Sequence, residues 1–186
     1  MTPAVRRKKR KDEIKVTVAP FRNLADYKTC EEIQKEVWNC REIDIIPVSV
    51  LLEIHRSGGI VLGAFSSLGD LIGFACSTLG TADKKPILHT IALDIRAAYR
   101  NFDVGFKLMA AQRKEALKRK IPAITAALDP MQPVQAYFSL GKLGAVSNQY
   151  EENYFGETTK QSDRGMPTDR LLIQWNLSDK EVERRL

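Results

Sequence analysis

One stretch decides the fold: residues 87–105, which read ILHTIALDIRAAYRNFDVG. Its first half alternates residue by residue, which is the pattern of a β-strand. One predicted face carries Ile87, His89, Ile91, Leu93 and Ile95, and the other carries Leu88, Thr90, Ala92 and Asp94. A polar turn over residues 96–103 follows, and apolar residues at helical spacing then predict a helix over residues 104–120. We therefore interpret residues 87–95 as the central strand of a sheet.

Shorter patterns on both sides of this stretch predict the rest of one mixed domain. Before it we expect a strand at residues 14–18, a helix over Leu24–Trp38, a shorter helix near residues 49–55, and a hairpin of Ile60–Phe65 with residues 71–77. After it we expect a strand over Ala123–Leu128, a short helix at 134–143, an irregular segment at 151–168 and a last strand over Arg170–Asn176. This order predicts an α/β (α+β) fold with helices flanking the sheet.

The positive charge is concentrated near the start of the chain. Of the 29 basic residues among 186, six form the run RRKKRK at positions 6–11, and without them 23 basic residues balance 23 acidic ones. A basic tail on a neutral body does not indicate a basic binding face. We expect a disordered tail at residues 1–13, one domain at 14–178 and a C-terminal tail at 179–186.

The basic run has several interpretations. It can contact nucleic acid, anionic lipid or an acidic partner, or it can be a solvated arm with no dedicated partner. Nucleic-acid binding rests on this run alone, because no aromatic interleaving and no recognition helix accompany it.

Cysteine usage and hydropathy bear on the location of the protein. The three cysteines, Cys30, Cys40 and Cys76, contain no CxxC pair and suggest neither a disulfide framework nor a metal site. No apolar run follows the basic start, and Asp44, Pro47 and Glu53 interrupt the apolar segment 43–54. We therefore expect a cytoplasmic protein without a signal peptide, a membrane span or a metal.

Residues 89–144 resemble the core of the GNAT acetyltransferase superfamily, which has a central strand, a tight loop, a helix, a strand and a short helix ending in Lys-x-Gly. The family loop reads Arg/Gln-x-x-Gly-x-Gly/Ala, and its places are taken here by Arg100, Asn101, Phe102, Asp103, Val104 and Gly105. The segments LDP (128–130), AYF (136–138), KLGA (142–145), NYFG (153–156) and GMPTDRLL (165–172) further resemble a poorly characterised GNAT-like branch. The resemblance implies a GNAT-like acyl-CoA N-acyltransferase fold with a central mixed, mostly antiparallel sheet.

The resemblance also implies acetyl-CoA as co-substrate and no metal. Backbone N–H groups at a helix N-terminus form an anion site, so the CoA pyrophosphate is expected on the loop from Arg100 to Phe106. The thioester carbonyl is expected against backbone N–H groups near Leu93, Asp94 and Ile95. Asp103 replaces the first glycine of the family loop. Its carboxylate either weakens CoA binding by repulsion or caps the following helix and points away from the ligand.

The resemblance leaves the catalytic residues open. Many family members use a tyrosine in the short helix as acid, and Leu140 stands in that place here. Tyr137, one turn earlier, is a candidate acid or a core residue. His89 is a candidate base because its pKa lies near neutrality, or a packed strand histidine.

Two carboxylates are further candidates for the base. Glu53 interrupts an apolar helix, while Asp129 precedes Pro130, where aspartate most often starts a turn or caps a helix.

The leading functional hypothesis is an acyl-CoA-dependent N-acetyltransferase acting on an amine of a small molecule or peptide. The alternative is a catalytically degenerate GNAT-fold binding or regulatory module, motivated by Asp103 and Leu140. The irregular segment at 156–168 either borders the acceptor site or is a surface excursion. The oligomeric state stays open, with a homodimer as one arrangement.

Overall fold

The computed structural model describes residues 15–163 and 165–186, so the predicted basic tail at 1–13 lies outside the described residues. The strands are β1 (Thr17–Pro20), β2 (Ile60–Phe65), β3 (Leu71–Ala82), β4 (Lys85–Ile95), β5 (Ala123–Leu128), β6 (Val146–Glu151) and β7 (Arg170–Asn176). They form one sheet in the order β1-β2-β3-β4-β5-β7-β6. Within it β4 and β5 are parallel, and the other neighbouring strands are antiparallel. The predicted fold class, with its mixed and mostly antiparallel sheet, is confirmed.

The helices are α1 (Leu24–Trp38), α2 (Val48–Arg56), α3 (Val104–Lys118), α4 (Pro133–Ala136) and α5 (Lys180–Arg185). The Asn23 side chain caps α1 by accepting from the Asp26 N–H, and Asn39 ends it in the left-handed conformation with φ 43°. The short α4 widens into a π-helical turn, Tyr137–Lys142. In the described part of the chain, no helix is long and apolar enough to cross a membrane.

Apolar side chains cover both faces of the sheet. On one face Leu108 of α3 packs with Ile124 and Trp175 of the neighbouring strands. On the other face Ile33 of α1 and Leu51 of α2 pack against Phe74 and its neighbours on β3. All six residues of β2 are buried, as expected for a strand covered on both faces.

An extra residue interrupts the pairing of β3 and β4. Cys76 lies opposite Ala92, and the next residue of β3, Ser77, lies opposite Thr90, so Ile91 has no partner on β3. This arrangement is a β-bulge in β4, which increases the local twist and bends the strand.

The bulge reverses the faces of β4 along its length. Before the bulge, Leu88 packs in the α3 core and Thr90 bonds Gln112 of α3. After it, Ala92 packs in the α1–α2 core and Asp94 bonds Trp38 of α1. The prediction that one face is shared from residue 87 to residue 95 was therefore wrong. Its physical reason is that a single inserted residue shifts the period-two alternation.

Three further segments differ from the predicted elements. Strand β6 was not predicted, because five of its six residues are exposed and it shows no hydrophobic alternation. The β3–β4 hairpin is longer than expected, and its turn residues Asp83 and Lys84 have positive φ angles, as in a tight two-residue hairpin. Residues expected to form the C-terminal tail include α5, which buries Val182 in the α3 core.

A buried polar cluster joins three elements beside the bulge. Gln112 Nε2 of α3 donates to Ser77 Oγ at 2.6 Å, and the Ser77 and Thr90 hydroxyl oxygens lie 2.9 Å apart. Gln112 and Ser77 are both completely buried. Buried polar groups are stable only when they are hydrogen-bonded, so the cluster ties α3 to the point where β4 bends.

We expect Gln112→Leu to lower the free energy of unfolding by about 1–3 kcal/mol, because the Ser77 and Thr90 hydroxyls lose a buried partner. Lys114→Leu, on the exposed side of the same helix, is the matched control and should change that free energy by less than about 0.5 kcal/mol. Urea unfolding followed by circular dichroism measures both. Equal effects of the two substitutions would contradict the assigned role of the cluster.

Candidate functional site

The parallel pairing of β4 and β5 is short and leaves a gap between the strands. It begins with Leu88 opposite Ile124 and ends with Thr90 opposite Ala126. Beyond the bulge at Ile91, residues 92–95 of β4 pair with β3 on one side, and no described strand pairs with them on the other. We call this gap the β4–β5 opening. Its position directly after the bulge at Ile91 indicates that the bend in β4 creates it.

Two backbone N–H groups of β4 point into the opening. The N–H of Arg96 donates to the carbonyl of Ile72 on β3 at 3.0 Å. Because successive N–H groups point to opposite sides of a strand, those of Ile95 and Leu93 point away from β3. The Arg100 side chain donates from Nε to the Ile95 carbonyl, which faces the same way. The opening therefore offers N–H donors to a carbonyl oxygen bound within it.

The turn before α3 presents three consecutive backbone N–H groups. Among the described residues, no carbonyl accepts from the N–H of Val104, Gly105 or Phe106, and the first bond at this end runs from Lys107 N to Asp103 O. Unpaired N–H groups at a helix N-terminus attract anions, and the helix dipole adds to this attraction. This turn can therefore hold a phosphate group.

Gly105 allows α3 to lie close to its neighbours. A Cβ at Gly105 would lie 3.2 Å from Ile95 Cδ1 and 3.6 Å from Phe138 Cζ. The missing side chain thus brings the start of α3 against the end of β4 and against the π-helical turn. The turn before α3 and the β4–β5 opening are consequently adjacent.

Asp103 takes a backbone conformation that favours glycine. Its φ of 55° and ψ of 20° lie in the left-handed region, which aspartate adopts more readily than most residues. This explains in physical terms why the GNAT-type loop, which Asp103 departs from, has glycine here. Aspartate can replace it at the cost of modest backbone strain.

The carboxylate of Asp103 pairs with a lysine. Lys142 Nζ donates to Asp103 Oδ1 at 2.9 Å and lies 4.7 Å from the centre of the Phe106 ring. Asp103 occupies the N-cap position of α3 but forms no side-chain capping bond, so the capping interpretation was wrong. The lysine of the Lys-x-Gly motif offsets the negative charge instead.

Asp94 is a buried carboxylate beside the β4–β5 opening. Its side chain belongs to a residue only 5% exposed, and Oδ1 accepts from Trp38 Nε1 at 2.8 Å. Oδ2 is buried and has no hydrogen-bond partner among the described residues. Burial raises the pKa of Asp94 to about 6, although the Trp38 hydrogen bond and the charges of Lys160 and Arg100 act in the opposite direction.

The β6–β7 loop, described at residues 152–163 and 165–169, folds over the end of α1. Thr159 N donates to Asp44 Oδ2 at 2.7 Å, and Arg41 N donates to Thr159 Oγ1 at 2.9 Å. The hydroxyl and the backbone N–H of Thr159 both donate to Asp44 and lower the pKa of its carboxyl, because they stabilise its charged form. The loop is thus joined to the α1–α2 connection, and its Lys160 lies close enough to Asp94 to affect the pKa of that carboxyl. That this segment borders the acceptor site stays a prediction.

A lysine of this loop lies next to Trp38. The ammonium nitrogen of Lys160 is 3.6 Å from the centre of the Trp38 ring and 5.8 Å from that of Phe155. Burial lowers the pKa of Lys160, while the negative charges of Asp94 and Asp163 favour its protonated form. The Trp38 indole at the edge of the β4–β5 opening thus contacts both the Lys160 amine and the Asp94 carboxylate.

A buried ion pair fixes the other end of the loop. Arg170 Nη2 donates to Asp163 Oδ1 at 2.9 Å, and the two side chains are 8% and 2% exposed. The Arg170 guanidinium carbon also lies 5.1 Å from the centre of the Phe155 ring. The loop conformation is therefore determined by contacts at both ends.

The structure places the predicted catalytic residues apart from this cluster or in structural bonds. His89 Nδ1 lies 3.0 Å from Thr125 Oγ1, in the paired part of β4 and β5, and burial lowers its pKa. Tyr137 is 72% exposed and lies over Gly141, with its Cδ2 3.0 Å from the place of a Cβ there. Leu140 packs against the α3 core.

The two carboxylate candidates form local contacts. Glu53 forms an exposed ion pair with Arg56 on α2, at 3.1 Å. Asp129 Oδ1 accepts from Met131 N at 2.8 Å, which is the turn contact that the sequence indicated as the alternative role. The described residues contain no group of three or more His, Cys, Asp or Glu side chains that could hold a metal.

The sequence matches no protein-family model and no curated protein. Solved structures, in contrast, match it over most of its length. The ribosomal-protein-S18-alanine N-acetyltransferase from Escherichia coli aligns with a TM-score of 0.66 at 13% identity, covering 89% of this chain and 96% of that one. The Arabidopsis thaliana Naa50 in complex with the bisubstrate analogue CoA-Ac-MVNAL aligns with a TM-score of 0.68 at 14% identity, covering 86% and 97%. The chain has the GNAT fold.

A third GNAT structure, the putative acetyltransferase yncA from Salmonella typhimurium with its cofactor acetyl-CoA, aligns with a TM-score of 0.67 at 18% identity, covering 89% of this chain and 95% of that one. The sequence patterns predicted a site role for the backbone of Asp94 but none for its side chain. They placed Trp38 only at the end of a helix and gave Lys160 no role. No local pattern marks these two residues, which lie far apart in the chain and meet only through the β6–β7 loop.

We expect Asp94 to make stability depend on pH. Its pKa rises from the ordinary 3.8 to about 6, so the folded chain keeps this proton where the unfolded chain releases it. Stability contributed by this group is therefore complete below about pH 4 and is lost as the pH rises through about 6. Asp94→Asn should gain on the order of 3 kcal/mol relative to wild type between about pH 4 and pH 7.

Urea unfolding at several pH values in this window measures the effect. Asp83→Asn, in the exposed β3–β4 turn, is the matched control for removal of a carboxylate charge. If the two variants gave the same pH profile, the burial of Asp94 would not control its proton.

Proposed function

We propose that this chain is an acyl-CoA-dependent acyltransferase, specifically an N-acetyltransferase that moves an acetyl group from acetyl-CoA to an amine of a small molecule or peptide. The observation that carries the proposal is the buried Asp94 carboxylate beside the β4–β5 opening, with Oδ2 unpaired among the described residues. A carboxylate whose pKa burial raises to about 6 is suited to accept a proton near neutral pH.

The residues around the opening fit acetyl-CoA. The N–H groups of Val104, Gly105 and Phe106, from which no described carbonyl accepts, would hold the pyrophosphate. Those of Leu93 and Ile95 would polarise the thioester carbonyl. The rest of the loop that is expected to bind the pyrophosphate consists of Arg100, Asn101, Phe102 and Asp103. The resemblance implied a backbone contact between Asp94 and the thioester carbonyl. We propose instead that the side chain of Asp94 acts as the base. Acetyl-CoA supplies the acetyl group as an activated thioester.

Asp94 would remove a proton from the acceptor amine. Trp38 fixes one carboxylate oxygen by its N–H, which leaves Oδ2 to receive the proton. His89 is engaged with Thr125 on β5, and Asp129 with its own turn, which supports Asp94 over these earlier candidates. Tyr137 stays a prediction for the acid.

Solved structures of this fold support an amine acceptor without selecting its size. They include an aminoglycoside 6'-acetyltransferase and the NatC complex bound to Gag peptide and CoA. These acceptors differ widely, so the acceptor of this chain is proposed only as an amine. The cytoplasmic location likewise stays a prediction from its cysteines.

We expect acetyl-CoA to stabilise the protein in a thermal-shift titration, by about 2.7 kcal/mol at a concentration 100 times the Kd. Asp103→Asn keeps the tolerance for positive φ, removes the charge and releases Lys142 toward the phosphates, so it should tighten CoA binding roughly 2–10-fold. Lys142→Met should weaken binding, because it removes a positive charge 2.9 Å from the Asp103 carboxylate at the turn where the phosphates are expected. An absence of stabilisation by acetyl-CoA would overturn the proposal.

Asp94→Asn should lower kcat for amine acetylation by about 10²–10⁴-fold and leave the affinity for acetyl-CoA within about twofold, because the amide accepts no proton at neutral pH. Release of the CoA thiol and calorimetric binding measure the two quantities. Glu53→Gln, which removes an exposed carboxylate on α2, is the control. Acetyl-CoA binding without transfer in the wild type, over a panel of amines, would favour the alternative of a binding module.

A further inference from the structure

The Lys160 side chain contacts an aromatic ring and has no hydrogen-bond partner among the described residues. Its Nζ lies 3.6 Å from the Trp38 ring centre, and among the described residues it donates no hydrogen bond and forms no ion pair within 4.0 Å. Its backbone, in contrast, is fixed, because Lys160 N donates to Thr158 Oγ1 and Asp163 N donates to Lys160 O. The backbone contacts thus hold Lys160 in place, and its amine lies against Trp38 rather than in an ion pair with a described residue.

Burial, rather than the neighbouring carboxylate charges, favours loss of a proton from Lys160. Asp94 and Asp163 attract its ammonium, and Arg170 repels it. Asp163 is already bonded to Arg170, whereas Asp94 has a buried oxygen, Oδ2, that no described residue bonds. Burial acts on the two partners in opposite senses, lowering the pKa of Lys160 and raising that of Asp94. Both effects lower the free-energy difference for moving a proton from the amine to the carboxylate.

A purely structural lysine would have a different environment. A lysine that only anchors a loop is expected to form a hydrogen-bonded ion pair. In this region Lys142 forms such a pair with Asp103, and an arginine, Arg170, forms one with Asp163. Lys160 contacts two aromatic rings instead, Trp38 and Phe155, and Trp38 also holds Asp94. Aromatic rings that surround an amine are typical of sites that bind cationic amines. Because this amine also lies near Asp94 and the β4–β5 opening, its surroundings resemble a subsite for an acceptor amine.

We propose that Lys160 is an acetylation site, which the chain modifies in cis at its own β4–β5 opening. This inference rests on the proposed function. The Lys160 ammonium gives one proton to the Asp94 carboxylate, and the neutral nitrogen attacks the thioester carbon of acetyl-CoA. The N–C bond forms as the C–S bond breaks, a second proton leaves the nitrogen to give the CoA thiol, and Asp94 returns its proton to solvent.

Acetylation would change the site. The amide product has no positive charge, so the cation–π contact with Trp38 and the attraction to Asp94 are both lost. The modified side chain would then no longer compete as a cation for the space beside Asp94. Self-acetylation would thereby change how other amines reach this carboxylate.

The test incubates the full chain with acetyl-CoA and measures acetyl occupancy at each lysine by peptide mass spectrometry. Lys118, whose side chain is 63% exposed on α3, reports uncatalysed reaction within the same molecule. Lys160 should be acetylated roughly 10-fold or more faster than Lys118, because it is oriented beside a base. Its rate constant should be independent of protein concentration, since the reaction is intramolecular.

Two variants separate the contributions. Lys160→Arg keeps a cation over Trp38 and should show no acetyl group at this position. Asp94→Asn should slow acetylation of Lys160 about 10²-fold or more without slowing that of Lys118. The comparison of Lys160 with Lys118 in the wild type needs no variant, so it stays decisive even if a variant folds poorly.

The outcomes distinguish the two proposals. If acetyl-CoA stabilises the protein and external amines are acetylated, but Lys160 reacts no faster than Lys118, the cis reaction is overturned and the proposed function stands. A rate for Lys160 that rises with protein concentration would also overturn the cis reaction. If acetyl-CoA fails to bind, both proposals are overturned.

Discussion

The candidate site depends on one extra residue in one strand. The bulge at Ile91 adds a residue to β4 that β3 does not match, and the pairing with β5 stops just before it, at Thr90. The same insertion turns Asp94 from the α3 face to the α1 face, where Trp38 can bond it. An opening, its N–H donors and its carboxylate thus have a common geometric origin. The buried contacts of Ser77, Thr90 and Gln112 hold the strand at this point.

The two carboxylates at the site are each matched by a lysine from the last third of the chain. Lys142 bonds Asp103 at the turn before α3, and Lys160 attracts Asp94 beside the opening. Asp103, which departs from the family loop, therefore has a cation beside it. The negative charge at this turn is smaller than the loop sequence alone indicates. Because the contact with Lys142 is partly exposed, we expect it to contribute less than about 1 kcal/mol to stability. Its effect on a bound phosphate would be the more important one.

The sequence predicted most of the fold because the central elements have strong hydrophobic periods. The strand at 87–95, the helix after it and the buried strand Ala123–Leu128 all appear close to their expected places. The exposed strand β6 and the short helix α5 have no such period, so they could not be recognised. The bulge could not be recognised from the sequence for a related reason. The sequence of β4 keeps its period-two alternation through Ile91, although the inserted residue exchanges the two faces of the strand beyond it. Lys160 reaches Trp38 only through tertiary contacts of an irregular loop, which no local pattern encodes.

Access of an external amine to Asp94 follows from the relative strength of the loop contacts. Breaking the buried pair of Asp163 and Arg170 would cost about 3–5 kcal/mol, because it leaves a buried charge without its partner. The contact of Lys160 with Trp38 is a cation–π interaction, for which about 0.5–2 kcal/mol is typical. Swinging one side chain away from the indole is therefore easier than opening the whole loop. The β6–β7 loop can keep its backbone bonds to Asp44 and Arg41 while Lys160 exchanges with an incoming amine. A side-chain exchange of this kind would give an amine a route to Asp94, the proposed base, while the loop backbone stays in place.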